Sequence, residues 1–175
     1  MNDNKIHIKV VFLGESEVGK SALINRYINN TFDEFAYNYT SATFVTKKIN
    51  YNNEDYHFDI WDTSGYEKYR SLAKFLIKEA KIIVVVYDTT KKRTFLELDF
   101  WLDLILKELG PDIFLILVGN KIDLFENEEI TENDGKKFGE ALGAKFILSS
   151  AKYGDSKWSN SFEEALTDYI KTLNK

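Results

Sequence analysis

The chemistry of this chain is concentrated first in Gly14-Glu15-Ser16-Glu17-Val18-Gly19-Lys20-Ser21, a match to G-x-x-x-x-G-K-S that follows an apolar run and leads through Ala22 into an amphipathic segment. Glycines at both ends let the backbone curl so that successive N–H groups face inward at phosphate oxygens. The start of the following helix adds partial positive charge. Lys20 can bridge terminal phosphates, and the Ser21 hydroxyl can ligate Mg²⁺. Glu17 sets a carboxylate beside a loop built for anions, so its side chain is expected to turn outward to solvent. The pattern predicts a nucleoside diphosphate or triphosphate as ligand.

Two further stretches lie where a base pocket belongs. Asn120-Lys121-Ile122-Asp123 follows the apolar run Ile113 to Val118, and a short carboxylate at Asp123 can accept from both N1–H and the 2-amino group of guanine. Adenine lacks that donor pair and would leave the acceptor unpaired. Ser149-Ser150-Ala151-Lys152 follows the run Phe146 to Leu148, where backbone N–H groups would come near the base oxygen and the Lys152 stem would lie over the ring. A third stretch, WDTSGYEKYR, carries Asp62, Gly65 and Tyr66.

The elements that must position these residues are legible in the hydrophobic pattern. Ile6 to Leu13, Ile82 to Tyr87, Ile113 to Val118 and Phe146 to Leu148 read as buried parallel strands. Lys20 to Asn30, Arg70 to Ala80, Thr94 to Leu109, Glu132 to Leu142 and Phe162 to Leu173 read as helices. Thr43 to Tyr51 and Asp55 to Trp61 alternate, and Asn52-Asn53 between them suits a hairpin turn. The expected architecture is a three-layer α/β sandwich. It has a six-stranded, mostly parallel sheet with one antiparallel hairpin strand and about five helices, in a single domain over residues 1–175. Ligands of such sheets sit beyond the carboxyl ends of the strands, where all the motifs fall. The net charge of −5 argues against a nucleic-acid partner, and the absence of cysteine removes disulfides and thiolate chemistry. MNDNKIHIKVV is too polar for a signal peptide, and no apolar run is long enough to span a bilayer, so the expectation is a cytoplasmic protein.

Taken in order, GESEVGKS, WDTSG, NKID and SSAK resemble the motifs of the Ras superfamily of small GTPases over nearly the whole chain, from Ile6 to Leu173. Trp61, the GES-VGKS form of the loop and the following YRSL are most like the Rab branch, which directs vesicle traffic. The resemblance implies a P-loop G domain binding GTP or GDP with Mg²⁺. By the same resemblance Asn120 and Asp123 bind the base, Lys121 and Lys152 pack across it, Ala151 contacts its oxygen, and Phe32 packs against the guanine. Phe32 as a plain aromatic anchor of its loop is the other reading. Asp62 would hold a metal-bound water, and Gly65 would offer its N–H to the γ-phosphate. The switch threonine that ligates the metal falls one residue away from Thr40, which is taken as the ligand.

The family usually places glutamine where Tyr66 stands, to orient the attacking water. A phenol on a rigid ring cannot hold water and a carbonyl together as an amide does, so hydrolysis is expected to be slow. Tyr66 could equally serve as a partner-facing aromatic or as a lid over the nucleotide. The alternative is a binding module that stays nucleotide-loaded with little turnover. Phe44 and Trp61 match two residues of the aromatic patch that Rab proteins show to effectors, with Leu76 at the third position; hairpin packing is the other reading. Exchange factors and GTPase-activating proteins are implied as further partners. The family's prenylated tail has no counterpart before Lys175, which suggests a chain truncated at the domain edge or half of a tandem GTPase. Attachment to endomembranes would require that lipidated tail.

Overall fold

The computed structural model describes residues 5–33, 43–63, 70–153 and 157–174. Strands β1 (Ile6–Leu13), β2 (Thr43–Tyr51), β3 (Glu54–Asp62), β4 (Ile82–Asp88), β5 (Phe114–Asn120) and β6 (Lys145–Ser149) form a six-stranded sheet in the order β2-β3-β1-β4-β5-β6. Only β2 and β3 pair antiparallel, joined at Asn52-Asn53, where both residues have positive φ. The other neighbours are parallel.

Every residue of β4 is buried, because helices cover both faces of the sheet. On one face Val10, Phe12, Val84 and Val118 meet α1 (Lys20–Asn29) and α6 (Lys157–Leu173). On the other, Val11, Leu13, Val85 and Tyr87 meet α2 (Arg70–Ile77), α3 (Lys92–Leu96), α4 (Leu98–Leu109) and α5 (Glu132–Ala141). Alternation along each strand sends neighbouring side chains to opposite cores.

Helix α2 ends at Ile77, short of the expected Ala80, several other ends shift by a residue or two, and two helices differ more. The helix expected over Thr94 to Leu109 divides at Glu97, so the described residues contain six helices rather than about five. Thr94 pins α3 to the end of β4: its Oγ1 accepts from the Asp88 N–H at 2.9 Å and donates to the Lys91 carbonyl at 2.8 Å. The axis of α4 is instead set by burial of Leu98, Trp101 and Ile105 against the sheet, and the break at Glu97 reconciles the two. Helix α6 also begins before Phe162. Trp158 and Phe162 stack one turn apart at 4.8 Å, and the polar Ser159-Asn160-Ser161 between them hides that period in the sequence. Phe162 meets Phe12 and Tyr27 edge-on, and Trp158 Nε1 donates to the Leu23 carbonyl at 2.9 Å, which locks α6 onto α1 and β1.

The strand order reverses at β1. The carboxyl ends of β1, β3, β4, β5 and β6 bring Gly14, Asp62, Asp88, Asn120 and Ser149 to the same edge of the sheet.

Candidate functional site

The loop after β1 needs its glycines for space as well as for turning. A Cβ on Gly14, whose φ is 140°, would stand 2.2 Å from the Val86 carbonyl oxygen, and one on Gly19, whose φ is 99°, would stand 2.3 Å from Asn120 Nδ2. Val18 is fully buried and anchors the loop in the core shared by α1 and α6. Gly19 caps α1 from the left-handed region and brings no side chain to the first-turn N–H groups. That leaves a backbone cradle at a helix start, a setting that favours anions. Lys20 is only 2 % exposed, and its Nζ donates to the carbonyls of Gly14 at 3.0 Å and Glu15 at 2.9 Å, which holds the ammonium within the loop. Ser21 and Ala22, both half-buried, continue the first turn.

Glu17 adopts a φ of 65°, uncommon for a residue with a side chain. Its carboxylate faces outward and pairs with Lys91 at 3.2 Å, with the two side chains 64 % and 51 % exposed. Glu15 lies 3.8 Å from Arg93. Both loop carboxylates thus face cations at the β4–α3 corner, while Ser16 is exposed.

Across the crevice Asn120, 2 % exposed, joins the end of β5 to the loop. Its Nδ2 donates to the Val18 carbonyl at 2.8 Å, and its Oδ1 accepts from Ser149 Oγ at 3.3 Å. Lys121 takes a φ of 71°, and its Nζ lies 2.7 Å from Asp88 Oδ2, an ion pair with a fully buried carboxylate rather than an aligned hydrogen bond. The other oxygen of Asp88 accepts from the Thr90 N–H and hydroxyl. Asp123 lies in the first turn of the 3₁₀ segment Ile122–Asn127 and accepts from Ser150 Oγ at 2.6 Å, a short hydrogen bond. Ala151 is buried, Lys152 is exposed, and the carbonyls of both accept from the Arg26 guanidinium.

Asp62, nearly buried at the end of β3, stands beside Phe12 in the parallel register, and the next residue, Thr63, donates from Oγ1 to the Phe12 carbonyl at 2.6 Å. Phe32 is half-buried against the core. Thr40, Gly65 and Tyr66 lie outside the described residues. Among the described residues no three His, Cys, Asp or Glu side chains form a metal-holding group. Farther out, Phe44 stacks on its cross-strand partner Trp61 at 5.1 Å while staying 60 % exposed, and Lys9 Nζ lies 4.8 Å over the Trp61 ring. Burial lowers the Lys9 pKa, with Glu79 acting in the opposite sense. Leu76 is half-buried and Phe75 beside it is exposed.

The structure therefore gathers the phosphate-loop residues Gly14 to Ala22, Asn120 to Asp123 and Ser149 to Lys152 at one edge, with Asp62 at the neighbouring strand end. Sequence reasoning missed Asp88, Lys91, Arg93 and Arg26. The signal for Asp88 was its place at the end of a fully apolar strand; the three cations have no local signature.

A family model described as the Ras family matches residues 9–172. The chain is 37 % identical over 145 residues to the Ras-related protein Rab-22A of Homo sapiens, with 83 % of this chain and 75 % of that protein covered. The Rab-22A proteins of Canis lupus familiaris and Mus musculus match with the same identity and coverage.

Proposed function

The chain belongs to the Ras family as a Rab-like small GTPase, and from that premise we propose that it is a single-domain, Mg²⁺-dependent switch over residues 1–175 that hydrolyses GTP slowly and regulates vesicle traffic. The observation that carries this reading is the bond from Asn120 to the Val18 carbonyl, which ties a guanine-type NKID turn to a phosphate loop about a hundred residues away in sequence.

The backbone from Gly14 to Ser21 and the Lys20 ammonium hold the phosphates. Asp123, oriented by Ser150, accepts from the guanine edge. Asn120 secures the pocket, Lys121 and Lys152 flank the ring, Ala151 faces its oxygen, and Phe32 packs at its side. Ser21 and Thr40 would give hydroxyl oxygens to Mg²⁺, and Asp62 would hold a water bound to that ion. Hydroxyl donors and a carboxylate-held water fit that ion, which takes few protein oxygens and retains water and phosphate ligands. When bound, Mg²⁺ neutralises charge on the phosphate oxygens. Gly65 offers its N–H to the γ-phosphate. Tyr66 cannot orient water as glutamine does, which makes turnover slow. The Phe44–Trp61 stack presents an effector surface, exchange factors and activating proteins act at the switch loops, and attachment to endomembranes would require a lipidated tail, since residues 1–175 contain no cysteine to carry the lipid.

Nucleotide released by mild denaturation and identified by ion-exchange chromatography should be GDP or GTP. A sample that carries neither and takes up no fluorescent GTP analogue overturns the reading. Single-turnover phosphate release should be slow and should rise in Tyr66→Gln. An unchanged rate in that variant removes Tyr66 as the cause.

A further inference from the structure

We infer that Arg26 is a positioning residue that sets guanine preference and nucleotide residence by bracing the base-side loop against α1. This inference rests on the guanine-nucleotide reading above. Arg26 lies in the last turn of α1, the helix that begins at the phosphate loop. Its Nε donates to the Ala151 carbonyl at 2.9 Å and its Nη2 to the Lys152 carbonyl at 3.0 Å. Nη1 donates to the Asn30 carbonyl at 2.8 Å, so the fork is itself held at the helix end. Three donors from one planar group fix the Ala151–Lys152 backbone in two places and tie it to a rigid element.

The brace reaches the pocket through a short chain of hydrogen bonds. The peptide whose carbonyl Arg26 Nη2 holds carries the Tyr153 N–H at its other end, and that N–H donates to Ser150 Oγ at 3.2 Å. Ser150 in turn donates to Asp123 Oδ1 at 2.6 Å. Because a peptide is planar, fixing its carbonyl fixes the direction of its N–H. Arg26 thereby controls the acceptor direction of Asp123 without standing in the pocket.

The test compares GDP with IDP, which lacks the 2-amino group facing Asp123, and with GMP, which lacks the β-phosphate. Arg26→Ala should release a fluorescent GDP analogue about tenfold faster, as expected for the loss of charge-assisted hydrogen bonds. Its preference for GDP over IDP should fall about threefold or more while its preference for GDP over GMP stays at the wild-type value. Arg26→Lys, which keeps charge but loses the fork, should show the same pattern more weakly. Where Arg26→Ala does not fold, Arg26→Lys decides by the same ratios. An unchanged GDP-to-IDP preference, or equal losses in both ratios, overturns the inference and leaves Arg26 a plain structural contact. Failure of the wild-type protein to bind GDP refutes the functional reading instead.

Discussion

Replacing Asn120 by Asp probes the join between phosphate loop and base turn with a nearly isosteric change. In the wild type the side chain is 2 % exposed, Nδ2 donates to the Val18 carbonyl at 2.8 Å, and Oδ1 accepts from Ser149. An ionised Asp would put a carboxylate oxygen against that carbonyl oxygen. Loss of the donor to a buried acceptor costs about 1–3 kcal/mol, and an uncompensated buried charge raises the total to about 3–5 kcal/mol. The carboxyl answers by retaining its proton, so its folded pKa rises above the unfolded value of about 3.9. The sign follows from linkage. Below about pH 4 both states are protonated, and the neutral acid can donate to Val18, so the deficit is about 1 kcal/mol. As pH rises toward the folded pKa the unfolded state sheds its proton first, and the deficit grows to its full size near pH 7. At roughly 2–4 °C per kcal/mol for a domain of this length, calorimetry without added nucleotide should show a loss of about 10 °C at pH 7 that shrinks on acidification. Asn120→Ala, which adds no titrating group, should lose about 1–3 kcal/mol with no pH trend. An Asp variant that melts within about 2 °C of wild type at pH 7, or with a pH-independent deficit, refutes the argument.

Glu17→Gly removes both a left-handed side-chain residue and a negative charge at the phosphate loop, and its exposed pair with Lys91 offers little in return. GDP should dissociate about two- to fivefold more slowly at low salt, with the difference shrinking as salt rises; no effect at low salt counts against the charge argument. Tyr87→Phe should be neutral or stabilising by up to about 2 kcal/mol in chemical denaturation. The buried Tyr87 hydroxyl meets no hydrogen-bond partner among the described residues, and it fills the space beside Gly119 and Gly135 that side chains there would need. A clear destabilisation would mean that the hydroxyl is satisfied. Lys145 and then Lys171, through their hydrogen bonds, hold the Asp168 carboxyl below the usual carboxylate range. Its contribution is present above the unfolded pKa near 4 and is lost as pH falls through the folded value. Asp168→Asn should therefore cost up to about 1 kcal/mol at pH 7 and nothing at pH 2, checked by denaturation at both.

Backbone requirements and hydrophobic period were readable locally. Gly14 and Gly19 announce a turn that a Cβ would obstruct, a motif between a strand and a helix needs no distant information, and the run Ile82 to Tyr87 is apolar throughout because both faces are covered. The hairpin register, with Phe44 opposite Trp61, follows from alternation and an Asn-Asn turn. Less was readable where two local rules compete. The break at Glu97 depends on Thr94 gripping the end of β4, and the first turn of α6 depends on Trp158 finding Phe162 and the Leu23 carbonyl.

By itself the sequence singled out the segments proposed for phosphate and base chemistry, since glycine positions, a lysine–serine pair and a short acid are properties of a few adjacent residues. The tertiary structure alone decided how those segments are held together. Asn120 on Val18, Lys121 on Asp88, Lys91 on Glu17 and Arg26 on Ala151 and Lys152 join residues brought close by parallel crossovers. A polar side chain seeking a buried carbonyl or carboxylate leaves no periodic mark in the sequence. Its partner exists only once the sheet has set five strand ends side by side.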